Sequence, residues 1–190
     1  SVFVAEAAGI TALVAAGVLT LAQAAPLVRF RAQAMQDAVP VAAGAMAAIL
    51  GLEAAKVIQG CADATQSFGP GSTEIVQAAN FNDPAQTVIA GSKAAVDKAC
   101  EVLKAAGAKR ALLLPVSAPF HSSLMKPAAG ELKAELAAMV FAAPQIPVLN
   151  NIDVGLEVDA DRIRDALVRQ AFGPVRWVEV VTAKIGRAHV

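Results

Sequence analysis

The chain has 190 residues, 56% of them hydrophobic, with 16 basic and 16 acidic side chains that leave no net charge at neutral pH. That length is enough for one domain or two small ones with a real core. The charge balance, without a basic cluster, excludes the usual footprint of a nucleic-acid binder.

Residues 7–28 carry no charge and are long enough to be weighed as a membrane span. Gly9, Thr11, Gly17, Thr20, Gln23 and Pro26 break the run, and Ser1-Val2-Phe3-Val4 lacks the basic start of a signal peptide. No membrane association is therefore expected. The run reads instead as a helix over 11–16 stopped by Gly17, then a second helix over 21–36 that carries Arg29 and Arg31 after Pro26. A strand follows over 43–50. Ala54, Val57, Ile58 and Cys61 recur at helical spacing within 53–64. Strands over 74–80 and 86–90 flank an Asn/Asp/Pro turn. A helix over 94–106 carries Val96, Ala99, Val102 and Leu103 on one face, and a strand covers 110–114. From 43 to 114 the order is β-α-β-β-α-β, the ferredoxin-like pattern. A helix over 129–140, a strand over 146–150 and a helix over 161–171 complete the chain. The fold class is α/β: residues 1–42 and 115–184 form parts of a larger piece into which the ferredoxin-like unit 43–114 is inserted. Cys61 and Cys100 lie in helical patterns and read as buried or partly buried thiols rather than a disulfide, which suits a cytoplasmic protein. No zinc-type Cys/His spacing occurs, and no metal is expected.

The run Pro115-Val116-Ser117-Ala118-Pro119-Phe120-His121-Ser122-Ser123-Leu124-Met125-Lys126-Pro127 carries the most chemistry. It follows the apolar stretch Ala111-Leu112-Leu113-Leu114. A histidine just past a strand end, among small hydroxyl residues, stands where a general base is useful; the alternative is a turn histidine with local hydrogen bonds.

Residues 116–127 resemble the histidine segment of the bacterial malonyl-CoA:acyl carrier protein transacylases. Further segments match in order: Leu27-Val28-Arg29-Phe30-Arg31-Ala32-Gln33-Ala34-Met35-Gln36, then Gly44-Ala45-Met46, then Asn80-Phe81-Asn82-Asp83-Pro84-Ala85-Gln86. Pro147-Val148-Leu149-Asn150-Asn151 and Ile163-Arg164-Asp165-Ala166-Leu167-Val168-Arg169-Gln170 follow. The likeness covers about residues 11–182. It implies a partial α/β-hydrolase-like acyltransferase subdomain with the ferredoxin-like unit inserted.

The resemblance also implies roles. His121 acts as base and then acid. Gln170 orients its ring through the main-chain carbonyl, in place of a triad carboxylate; without the resemblance it is an ordinary surface helix residue. Arg31, otherwise a solvated helix arginine, clamps the malonyl carboxylate with two parallel hydrogen bonds; Arg29 lies on another face and has no role. Met35 and Met46, otherwise core filling, line the acyl pocket, and Phe120 crowds the acyl α-carbon. Asn80, Asn82 and Gln86, otherwise turn residues, contact the pantetheine arm. The expected reaction is malonyl transfer from malonyl-CoA to the thiol of acyl carrier protein in fatty acid biosynthesis, through an acyl-serine. The coenzyme A thioester is substrate and the phosphopantetheine belongs to the carrier protein, so no separate cofactor is expected. The full-length enzyme is expected to be a monomer. A polyketide synthase acyltransferase domain and a non-catalytic acyl-CoA or carrier-protein binding fragment are the alternatives.

Two ends depart from the pattern. Glu6, in Val4-Ala5-Glu6-Ala7-Ala8-Gly9, stands where the family carries its serine in a strand-to-helix elbow. Residues 185–190 match nothing in the family and read as a non-native tail, so His189 receives no role. The chain is expected to be a fragment lacking the nucleophile region and the C-terminus. Leu13, Val14 and Val18 are expected to be exposed on an incomplete larger piece, with poor solubility as the result.

Overall fold

Helix stripes and strand alternation sort the chain into two sheets with separate cores. The computed structural model describes residues 3–4, 9–116 and 118–187, with only the backbone path for 3–4 and 184–187. Strand β1, Phe3–Val4, precedes helix α1, Ile10–Ala15, which starts after Gly9 in the left-handed region and is closed by Gly17 at φ 75°. Helix α2, Leu21–Asp37, starts with a capping box: Gln23 N–H donates to Thr20 Oγ1, and the Gln23 side chain accepts from Thr20 N–H. Leu27, Arg31 and Met35 recur every four residues, so Arg31 sits on the inward stripe while Arg29 is exposed.

Next come β2 (Gly44–Leu50), α3 (Ala54–Gln66), β3 (Val76–Asp83), β4 (Gln86–Ser92), α4 (Lys93–Ala105) and β5 (Arg110–Leu113). The four strands form one antiparallel sheet in the order β3-β4-β2-β5. Helices α3 and α4 cover one face, enclosing Ala47, Ile49, Val57, Ile89, Val96 and Leu103. Met46, Ala79, Val88 and Ala90 point to the other face and pack against Leu114 and Phe120.

A single 3-10 turn, Ser123–Met125, leads into α5, Lys126–Ala137. Strands β6 (Val148–Leu149) and β7 (Leu156–Glu157) follow, then α6 (Ala160–Phe172) and α7 (Trp177–Arg187). β6 pairs parallel with β1 and antiparallel with β7. Asp159 caps α6, accepting from the N–H groups of Asp161 and Arg162 at 2.9 Å each. Ile163, Ala166, Leu167 and Gln170 form the buried stripe of α6. It packs with α1, α2 and α5 around Leu13, Leu27, Leu132, Leu136 and Val148. Among the described residues, no helix is long and apolar enough to cross a membrane.

The structure corrects several expectations. Leu13 and Val18 are buried at 1% and 2% exposure and Val14 is half-buried, because α2, α5 and α6 close over α1. Helix α5 begins at Lys126 instead of 129, since Pro127 is accommodated in the first helical turn, where no N–H is needed. Strand β3 runs to Asp83 instead of 80, through two register shifts that disturb its alternation. The strand over 146–150 is only Val148–Leu149, and β7 and α7 are additional elements. Cys61 is buried and Cys100 half-buried, both as free thiols.

Candidate active site

His121 lies between β5 and the 3-10 turn, in the left-handed region at φ 59° and 8% exposed. This conformation is uncommon for a residue with a Cβ, though histidine tolerates it better than most. Three hydrogen bonds that involve side chains hold the segment around it. Ser122 Oγ donates to the Pro119 carbonyl at 2.7 Å, and Ser123 N–H donates to Gln77 Oε1 at 2.8 Å. The third joins His121 Nδ1 to the Gln170 carbonyl at 3.0 Å. A carbonyl only accepts, so Nδ1 carries the proton and Nε2 keeps its lone pair.

Burial pushes the His121 pKa down from 6.5 to about 4. The Gln170 carbonyl opposes that shift, the Arg31 charge adds to it, and the Gly173 carbonyl opposes it again. The ring is therefore neutral at physiological pH, the state a proton acceptor needs.

His121 lines two cavities. One, of about 450 Å³, is also lined by Arg31, Met35, Met46, Asn80 and Phe120. The other, of about 570 Å³, lies between α3 and β3 and reaches Gln77, Phe172 and Pro174. Arg31 is half-buried on α2, and burial lowers its pKa while leaving it cationic at neutral pH. Phe120 packs between the Met35 side and the Met46 side of the first cavity.

Arg31, Met35, Met46, Asn80, Phe120 and His121 thus share one cavity, and Gln170 is joined to His121. The sheet register places Asn80, Val88 and Ala48 in one row and Gln86 with Leu50 in the next, on the face that carries Met46. Gln86 shares that face, and Asn82 is exposed in the second register shift of β3; neither lines a cavity with His121. Glu6 and His189 lie outside the described residues. Two residues at the site were not singled out from the sequence. Gln77 anchors the histidine segment from a strand interior, where nothing local marks it. Pro174 closes α6, and its spacing of four from Gln170 was a readable signal.

The arrangement can accept a proton at a neutral imidazole beside a guanidinium suited to a carboxylate. Comparison with known proteins agrees. Residues 7–186 match the acyl transferase domain family. The chain is 52% identical over 171 residues to the malonyl CoA-acyl carrier protein transacylase of Escherichia coli K12, covering 90% of this chain and 53% of that protein. The Bacillus subtilis protein of the same name is 42% identical over 175 residues, covering 92% and 54%. The chain spans about half the length of these curated relatives. Among solved structures, the acyl-carrier-protein S-malonyltransferase of Burkholderia pseudomallei 1710b superposes with a TM-score of 0.93 at 56% identity, covering all of this chain and 60% of that one. A malonyl-transacylase solved in complex with its type II PKS acyl-carrier protein gives 0.93 at 46% identity, covering 99% and 59%. By sequence match and by fold alike, the chain belongs to the acyl transferase domain family.

Proposed function

We propose that this chain holds the malonyl-binding and proton-relay residues of an acyl-carrier-protein S-malonyltransferase of fatty acid biosynthesis. The observation that carries this reading is one cavity shared by the Arg31 guanidinium and a buried, neutral His121. In the complete enzyme a serine hydroxyl attacks the malonyl thioester carbonyl and gives its proton to His121 Nε2. The tetrahedral intermediate collapses, the C–S bond breaks, and the imidazolium returns the proton to the departing coenzyme A sulfur. The thiol of acyl carrier protein then attacks the acyl-serine by the same route in reverse. Arg31 holds the free carboxylate, Met35, Met46 and Phe120 shape the acyl pocket, and the Gln170 carbonyl orients the ring. Asn80, Asn82 and Gln86 contact the pantetheine arm. No separate cofactor is needed.

The finer architecture belongs to the same proposal. The strand order β3-β4-β2-β5, with both helices on one face, supports a ferredoxin-like unit over 43–114. Residues 1–42 and 115–184 then belong to the α/β-hydrolase-like part; the tail expected from 185 is not supported at its start, where α7 runs on to Arg187 and the family match reaches 186. A cytoplasmic, monomeric full-length enzyme fits this reading. Glu6 at the serine position favours a second reading for this polypeptide, non-catalytic binding of acyl-CoA or carrier protein.

Calorimetric titration of the chain with malonyl-CoA and acetyl-CoA tests the binding part. Tighter binding of malonyl-CoA, abolished by Arg31→Ala, is expected. Equal affinity for the two thioesters in the unaltered chain removes Arg31 from the role.

A further inference from the structure

The Gln170 carbonyl that receives His121 Nδ1–H has a second history, that of a helical carbonyl. In an α-helix this oxygen belongs to the N–H four residues on. Counting on past the end of α6, that residue is Pro174, which has no N–H. The donor three residues on is Gly173, and its N–H is already given to the Arg169 carbonyl at 2.8 Å. Both helical donors are thus accounted for. A buried carbonyl needs a partner, and here that partner is His121.

The chain beyond the helix is arranged to keep this so. Gly173 is extended, at φ −100° and ψ 161°, as a residue before proline prefers. The Gln170 side chain turns back, its Nε2 donating to the carbonyls of Gly173 at 3.4 Å and Pro174 at 3.3 Å. Val175 then joins the edge of β3: its N–H donates to Ala79 O at 2.8 Å, and its carbonyl accepts from Phe81 N–H at 2.9 Å.

We infer that Pro174 is a positioning residue for His121. By withholding the helical N–H from the Gln170 carbonyl, it reserves that oxygen for Nδ1–H and fixes the tautomer that leaves Nε2 free of a proton. Its importance for catalysis rests on the transferase reading above, but the tautomer itself is a property of the ring that needs no activity to be read.

The chain has two histidines, so Nitrogen-15 spectra of the imidazoles are assigned by adding His189→Gln. The unaltered chain is expected to show the Nδ1–H tautomer at His121. Pro174→Ala supplies an N–H in a good helix former, α6 gains a hydrogen bond, and the Nε2–H share rises several-fold. An analogue with lactic acid at position 174, made by ligating a synthetic C-terminal peptide, lacks both the ring and the N–H; it is expected to keep the native tautomer. Far-UV circular dichroism confirms that each variant folds. Retention of the Nδ1–H tautomer in folded Pro174→Ala overturns the inference. So does its loss in the lactic-acid analogue, which alone decides the matter if Pro174→Ala does not fold. Failure of the transferase reading is seen separately, as an absence of malonyl-CoA binding by the unaltered chain, and leaves the ring spectrum as described.

Discussion

Arg31 and His121 line one cavity, and the charge on Arg31 disfavours a proton on His121. One side chain thereby does two things in the cavity: it places a cation there and favours a neutral ring beside it. Arg31→Gln, which keeps much of the volume and removes the charge, is expected to raise the His121 pKa. NMR titration of the imidazole reads this directly; an unchanged or lower value refutes the electrostatic link.

The depressed pKa has a stability consequence. An unfolded histidine titrates near 6.5, and His121 folded near 4. Between these values the unfolded chain holds a proton that the folded chain does not, so stability rises with pH across that window. The contribution is fully present above about pH 6.5 and is lost as pH falls through 4, on the order of 3 kcal/mol. Urea denaturation of the chain and of His121→Asn at pH 7 and 4.5 isolates it: the unaltered chain should lose more stability on acidification than the variant.

In a full-length enzyme with its serine, Arg31→Ala should reduce malonyl transfer far more than acetyl transfer, by about 2–5 kcal/mol in selectivity where the pair is well desolvated. Steady-state rates with both thioesters measure it. An equal loss for the two acyl groups places the effect elsewhere.

If Glu6 stands where the family carries its serine, as the resemblance implies, this chain should not form a malonyl ester. Ser122 cannot substitute, because its hydroxyl is buried and committed to the Pro119 carbonyl. Incubation with labelled malonyl-CoA followed by denaturing electrophoresis settles the point; a stable label on protein contradicts it.

Two glycines separate backbone from side-chain constraint. A Cβ at Gly91 meets the Ile75 carbonyl oxygen at 2.0 Å and Val76 Cα at 2.7 Å, both main-chain atoms at β3. A Cβ at Gly60 meets Leu103 Cδ2 at 2.5 Å, the end of a side chain that can turn. Gly91→Ala should cost about 3 kcal/mol or more by forcing the strands apart. At Gly60 the helix propensity of alanine offsets part of the crowding, leaving a cost of about 1 kcal/mol. Thermal denaturation of both variants tests the ranking.

Most of the element order was legible because the helical spacing is regular: Ala54, Val57, Ile58 and Cys61 on α3, and Val96, Ala99, Val102 and Leu103 on α4, each repeat over about two turns. The end of β3 was not, because two register shifts break the alternation on which a strand is recognised. β6 and β7 have two residues each, too few to express any period. At the site, His121 was marked by its place after a strand, but Gln170 acts through its main chain, which leaves no trace in residue type. Its role came from family resemblance alone. Gln77 acts across the fold on Ser123, 46 positions away, and no local pattern announces such a partner.

The left-handed backbone at His121 bears on how its loss is to be measured. Alanine is poorly suited to that conformation and glycine adopts it freely. An alanine replacement therefore removes the imidazole and strains the turn in one step, and a drop in function after it mixes two causes. Glycine removes the ring and relaxes the turn, and asparagine keeps a polar side chain in a conformation it tolerates. The three variants together distinguish the chemistry of the ring from the geometry that presents it, and a His121→Gly protein more stable than His121→Ala is the signature of a backbone held in tension for the sake of the group it carries.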